Sequence, residues 1–186
     1  MLARPCVADP PRASELRATL RPRLLLEALV RHGVDFIVLG GIAERLQGVP
    51  RTTDDFDICP AMGRANLERL ADVLNEIAAI WRPEGLEESG FATVEPWSAR
   101  SFDAQTSLSL VTKFGAFDIW PRPDGSEGYD DLIRRAVEVT IGDNTIKLIH
   151  LEDSIRIKRT IGGPKYLSQL ELLRETQEQR RARGLD

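Results

Sequence analysis

Two carboxylates and two glycines in one run of the chain, FIVLGGIAERLQGVPRTTDDFDICP, have the types and spacing for phosphate chemistry. Asp55 and Asp57 flank Phe56. Side chains alternate along an extended strand, so both carboxylates face one way while Phe56 and Ile58 face the core. Paired carboxylates suit a divalent cation. Gly40 and Gly41 close an apolar stretch and open a helix, where side-chain-free backbone N–H groups suit phosphate. A cation and a phosphate in one site mean nucleotide chemistry, provided the two halves meet in space.

Asp-x-Asp alone is a weak signal, because exposed strands and turns often carry two acids. Here the pair interrupts an otherwise apolar strand, where uncompensated charge is costly and a cation is a natural reason for both acids. A third acid, Asp118, lies in a second apolar run, Ala116-Phe117-Asp118-Ile119-Trp120. If the two strands are neighbours, three carboxylates converge. That is enough for two magnesium ions, with manganese as the alternative and water and substrate phosphates as the remaining ligands. Asp118 could instead partner a core arginine, and the glycine pair could serve only a tight turn. Arg51 and Lys158 are candidate counter-charges for a polyphosphate. Ile155 and Ile157 cannot both lie on one narrow core face, which leaves the direction of Lys158 open, and a solvated lysine is the alternative.

These residues need elements to hold them. Apolar positions Leu16, Leu20, Leu24, Leu25, Ala28 and Leu29 recur at helical spacing from Ser14, a candidate N-cap, to His32, with Pro22 placed to split or kink the helix. A buried strand is expected at 35–39, a helix from Gly40 to Leu46 and a second strand at 55–59. The clearest amphipathic helix runs from Gly63 to Trp81, burying Leu67, Leu70, Ala71, Leu74, Ile77 and Ala78. Residues 82–105 read as a loop with one short strand. Hairpins follow at 107–120 and 137–149, the second turned at Gly142-Asp143-Asn144 and separated from the first by a short helix at 129–136. Helices at 151–161 and 164–182 end the chain, parted by Gly162-Gly163-Pro164. The expectation is an α+β domain with a small mixed sheet: a disordered lead-in at 1–13, a core at 14–149 and a C-terminal helical segment at 150–186.

Composition narrows the partners. At 186 residues, one domain can bury a substantial core. A net charge of −4 gives no global attraction to nucleic acid, so any such contact needs a local basic patch. Arg17, Arg21, Arg23 and Arg31 near the start, and Arg174, Arg180, Arg181 and Arg183 near the end, could form one, or could line solvated helix faces. Cys6 and Cys59 do not make a disulfide frame, and Cys59 reads as a buried structural thiol. His32 and His150 lack partners at zinc-ligand spacing. No apolar run is long enough to span a membrane, and a cytoplasmic, reducing setting is the default expectation.

Gly40-Gly41, Arg51, Thr53, Asp55-Phe56-Asp57 and the distant Asp118 together resemble the nucleotidyltransferase fold of the polymerase-β superfamily. The later segment IHLEDSIRIKRTIGGPKYLSQLELL resembles the C-terminal helices of nucleotidyltransferase toxins of the AbiEii and MenT type. The likeness covers roughly residues 34–60 and 107–173. It implies an active site of Asp55, Asp57, Asp118 and Lys158, with Gly40, Gly41, Arg51 and Thr53 beside the nucleotide. Such toxins often carry Lys-Asp before the last helix; this chain has Lys165-Tyr166, so no role passes to Tyr166.

The activity so implied joins a nucleoside monophosphate to an acceptor hydroxyl, with Asp118 binding a second metal or drawing the hydroxyl's proton and pyrophosphate leaving. For MenT-like toxins the acceptor is the 3′ end of tRNA and the nucleotide a pyrimidine, from CTP or UTP, so that aminoacylation and translation stop. A cognate antitoxin, kinase-like in some such systems, is the expected partner. Thr53 is then a candidate phosphorylation site, although turn chemistry explains a threonine there equally. Two other functions stay open: adenylylation of a protein or of a small hydroxylated molecule such as an aminoglycoside, and an idle nucleotide-binding module.

Overall fold

The computed structural model describes residues 19–82 and 95–185. The expected lead-in, the Ser14 cap, Cys6 and Arg17 lie outside these residues. The elements are α1 (Pro22–Arg31), β1 (Phe36–Leu39), α2 (Gly40–Leu46), β2 (Asp55–Pro60), α3 (Arg64–Glu76), β3 (Ile80–Trp81), β4 (Leu108–Thr112), β5 (Gly115–Ile119), α4 (Tyr129–Leu132), β6 (Val137–Ile141), β7 (Asn144–Leu148), α5 (Leu151–Ile161) and α6 (Pro164–Ala182).

Seven strands form one mixed sheet in the order β3-β4-β5-β2-β1-β7-β6, flanked by helices as the α+β expectation has it. Its centre is β2, antiparallel to β1 and parallel to β5. The alternation of β2 survives folding. Phe56 and Ile58 are fully buried, and Phe56 meets Phe117 of β5 with ring centroids 5.9 Å apart. The two hairpins form as expected, β4 with β5 and β6 with β7.

Two helices differ from expectation. Pro22 does not kink α1 but starts it. At the first helical position its missing N–H costs nothing, and its fixed φ already suits the helix. The α3 helix stops at Glu76 instead of reaching Trp81. Ala78 adopts φ of +52°, which turns the chain out of the helix, and Ile80 and Trp81 pair with Val111 and Leu110 at the sheet edge. The buried face of α3 is otherwise as read: Leu67, Leu70, Ala71, Leu74 and Ile77. Between 95 and 105 the chain makes a short 3-10 turn at Ala99–Ser101 and no strand. The short helix α4 covers only the first turn of the expected 129–136.

The last two helices pack on each other and share a small apolar cluster, Val49, Leu151, Ile155, Leu170 and Leu173, with the turn after α2. That cluster brings α5 and α6 up to the loop joining α2 to β2. Among the described residues no helix is long and apolar enough to cross a membrane.

Candidate active site

The site begins with strand register. In the parallel β2–β5 pair, Asp57 lies opposite Asp118 and Asp55 opposite Ala116. Side chains opposite each other share a face, and Asp55 lies two residues from Asp57, so all three acids project from the same side of the sheet. Each offers a carboxylate oxygen, and these oxygens all lie within 4.8 Å of one another. The three carboxylates expected to converge do so.

Such crowding has an electrostatic consequence. Burial first, and then the charge of Asp55, push the Asp57 carboxyl up to about 7 against a weaker opposing hydrogen bond from Trp120. The Asp118 carboxyl is raised mainly by burial, which the nearby Arg82 guanidinium only partly offsets. With Asp55 beside these two raised carboxyls, the three form an oxygen-only donor set that a hard divalent cation would suit. The residues fit such an ion.

Each carboxylate is held from the side. Trp120 Nε1–H donates to Asp57 Oδ1 at 3.1 Å. Thr53 Oγ1 donates to Asp55 Oδ1 at 2.5 Å, so its hydroxyl serves the acid and not a turn. Arg82 Nη2 donates to Asp118 Oδ1 at 2.8 Å. Asp118 therefore has both of the roles weighed for it, a place in the triad and an arginine partner, although Arg82 is a half-exposed side chain outside the core.

The glycine pair is explained by space. Gly40 has φ of +58°, and a Cβ there would fall 2.1 Å from Asp57 Oδ2. A Cβ on Gly41 would fall 2.4 Å from Thr53 Cβ. The chain must pass this close for α2 to begin against the acidic strand, and only glycine permits it. The α2 helix is seven residues long.

Arg51 and Lys158 are brought together by a residue not anticipated from sequence. Glu44 of α2 is fully buried; its Oε2 accepts from Arg51 Nη1 at 2.6 Å and its Oε1 lies 3.1 Å from Lys158 Nζ. Gln169 Oε1 of α6 accepts from both bases, at 2.9 Å from Lys158 Nζ and 3.0 Å from Arg51 Nη1. Lys158 is buried, not solvated, with the Tyr166 ring centroid 5.7 Å from its Nζ. Its positive charge favours the ionised form of Asp57, which places it in electrostatic reach of the triad. Two cations against one buried acid leave this cluster with net charge +1 beside the carboxylates.

Trp120 could have been found in the sequence, since it follows Asp118 by two residues and so shares its face. Glu44 carries no such signal. Of the basic residues expected near the start, Arg23 pairs with Glu27 at 2.7 Å and Arg31 with Glu76 at 2.5 Å. Cys59 is fully buried, and burial pushes its thiol up to about 12.

No family model matches the chain, and no curated protein matches it by sequence. Among solved structures, the fold is similar to that of the lincosamide antibiotic adenylyltransferase LnuA in its lincomycin-bound form. The TM-score is 0.54 at 13% identity, over 88% of this chain and 97% of that one. A Thermotoga maritima protein provisionally named a nucleotidyltransferase aligns over 88% of this chain and 98% of its own, at 17% identity and a TM-score of 0.46. The mixed sheet with its flanking helices is a nucleotidyltransferase fold, as the glycine-to-acid run had suggested.

Proposed function

We propose that this protein is a nucleotidyltransferase that moves a nucleoside monophosphate from a nucleoside triphosphate to an acceptor hydroxyl. The observation that carries this is the meeting of Asp55, Asp57 and Asp118 on adjacent strands of a nucleotidyltransferase fold. Asp55, Asp57 and Asp118 would hold one or two magnesium ions, which when bound supply charge stabilisation to the oxygens of the reacting phosphate. Asp118, held on one oxygen by Arg82, would either help hold the second ion or receive the acceptor's proton. The acceptor oxygen bonds to the α-phosphorus in line as the bond from that phosphorus to the β-phosphate oxygen breaks, and pyrophosphate leaves. Lys158 and Arg51 neutralise the leaving polyphosphate, oriented by Glu44 and Gln169. Gly40 and Gly41 keep the nucleotide's approach to the acids clear of side chains.

For the acceptor we favour the 3′ end of tRNA, with CTP or UTP as donor. On this view the protein is a toxin that blocks aminoacylation and is neutralised by a cognate antitoxin. The likeness of residues 34–60 and 107–173 to the AbiEii and MenT type supports this reading. A second reading is adenylylation of a small hydroxylated compound, favoured by the similarity in fold to a lincosamide adenylyltransferase. One experiment separates them: wild type and Asp55→Ala are each incubated with magnesium, every labelled triphosphate in turn, and either total tRNA or lincomycin. Label on tRNA with wild type alone supports the toxin reading. Label on lincomycin moves the acceptor to small molecules. Label on protein alone moves the reading to adenylylation of a protein, and label nowhere, with triphosphate still bound, favours an idle module or a different acceptor.

A further inference from the structure

A basic cleft that shares no lining residue with the triad is formed by the last two helices and Arg135. Arg135, Arg156, Arg159, Arg174, Gln177 and Arg181 line an open cleft of about 560 Å³. Five arginines face two carboxylates there, Glu152 and Asp153, which leaves the walls with net charge +3 in a chain whose overall charge is −4. The two acids do not neutralise the cleft evenly. Asp153 is almost fully buried and holds Arg135 and Arg156, and Arg156 also reaches Asp131 at 2.8 Å. Arg159, Arg174 and Arg181 are exposed and form no ion pair among the described residues.

Arg156 Nε and Gln177 Nε2 are buried hydrogen-bond donors with no acceptor. A buried donor left unpaired is costly and calls for an explanation, and both belong to residues of this cleft. The exposed guanidinium forks of Arg159, Arg174 and Arg181, without carboxylate partners among the described residues, suit an oxyanion, and phosphate matches the fork best.

The layout distinguishes one phosphate from several. On α6, Arg174, Gln177 and Arg181 fall at i, i+3 and i+7, one helix face over about 10 Å of axis. On α5, Arg156 and Arg159 face them from the other wall. Charges in two rows along an open-sided cleft suit a chain of phosphates better than one compact anion.

We propose that this cleft binds the phosphodiester backbone of a nucleic acid. This rests on the transferase reading only in that the bound chain would be its acceptor; the binding itself stands without catalysis. The basic surface expected from sequence is redrawn accordingly. Arg174 and Arg181 belong to it, while Arg180 turns toward the carbonyls of Gln47 and Leu185, and Arg135, Arg156 and Arg159 join from other segments.

The test is fluorescence anisotropy of end-labelled total tRNA against the full chain, repeated across a salt series without triphosphate. Arg159→Gln/Arg174→Gln/Arg181→Gln should weaken binding at least tenfold near 0.1 M salt. It should also make the slope of log K against log salt shallower by roughly two to three, the loss of three phosphate contacts. Each single substitution should shift that slope by about 0.7–0.9, which keeps the test open if the triple variant folds poorly. Arg23→Gln/Arg31→Gln should bind as wild type does, and so should Asp55→Ala. Unchanged affinity and slope in the triple variant, or no salt-dependent binding by wild type, would overturn the cleft and leave the transferase reading standing. Competition by inorganic pyrophosphate as strong as by unlabelled tRNA would overturn the polymer in favour of a small phosphate ligand. Loss of label transfer in Asp55→Ala with tRNA binding intact supports both sites as separate.

Discussion

Replacing Asp57 by asparagine should stabilise the metal-free protein, increasingly so as pH rises. Asp57 pays for its place beside Asp55 and Asp118, and its carboxyl is pushed from 3.8 in the unfolded chain up to about 7 in the fold. A group whose pKa is raised by folding favours the folded state fully below its unfolded pKa, and that contribution is lost as pH climbs through the folded value. The loss should start near pH 4 and be complete just above pH 7. At about 1.4 kcal/mol per pKa unit, the shift corresponds to a ceiling of roughly 4 kcal/mol at pH 8. Asparagine carries no charge and can still accept the hydrogen bond from Trp120, so it escapes the penalty while keeping the contact. Urea denaturation in EDTA at pH 5, 6, 7 and 8 would measure it. The variant's advantage should grow across that series and level off near pH 8. Adding magnesium at pH 8 should then narrow the gap by stabilising wild type, by about 2.7 kcal/mol at one hundred times its dissociation constant. An advantage that stays flat from pH 5 to pH 8, or a variant less stable than wild type at pH 8, would refute the electrostatic account of the triad.

Three other substitutions probe the support around the acids. Glu44→Ala leaves Arg51 and Lys158 as adjacent cations with only Gln169 between them, so urea titration should show a loss of about 3–5 kcal/mol, the usual cost of breaking a buried pair. Gly40→Ala forces a Cβ into Asp57 Oδ2 at a left-handed backbone position. It should cost at least about 1–3 kcal/mol in thermal unfolding and weaken magnesium binding by calorimetry. Thr53→Glu, standing in for a phosphate, puts a fourth acid against Asp55. It should suppress nucleotidyl transfer in the labelling assay, whereas Thr53→Val, which removes only the hydroxyl donor, should retain more activity.

What could be read from the chain, and what could not, divides by how far apart the partners lie. The triad was legible because its logic is strand parity. Asp55 and Asp57 share a face by spacing alone, and Asp118 repeats the pattern of a lone acid inside an apolar strand. One long-range fact, the parallel pairing of β2 with β5, was enough to join them. Other features had no local signature. The end of α3 turns on a left-handed Ala78, a conformation that nothing in an alanine announces. Glu44 reads like any acid on a short helix, and its burial follows only from Arg51 and from Lys158, 114 positions on, arriving on either side. Lys158 was ambiguous for the same reason: two isoleucines argued for different faces, and the deciding contact came from another helix. The asymmetry follows from the physics. Acids that gather around a cation can be arranged by a single sheet register, but the cations that balance them must be drawn from separate segments and desolvated together. A mutational scan should therefore find the carboxylates tolerant for folding and intolerant for activity. Glu44 should be intolerant for both, because its loss leaves Arg51 and Lys158 without their shared carboxylate, whereas losing either base alone leaves Glu44 paired with the other and should cost activity more than folding.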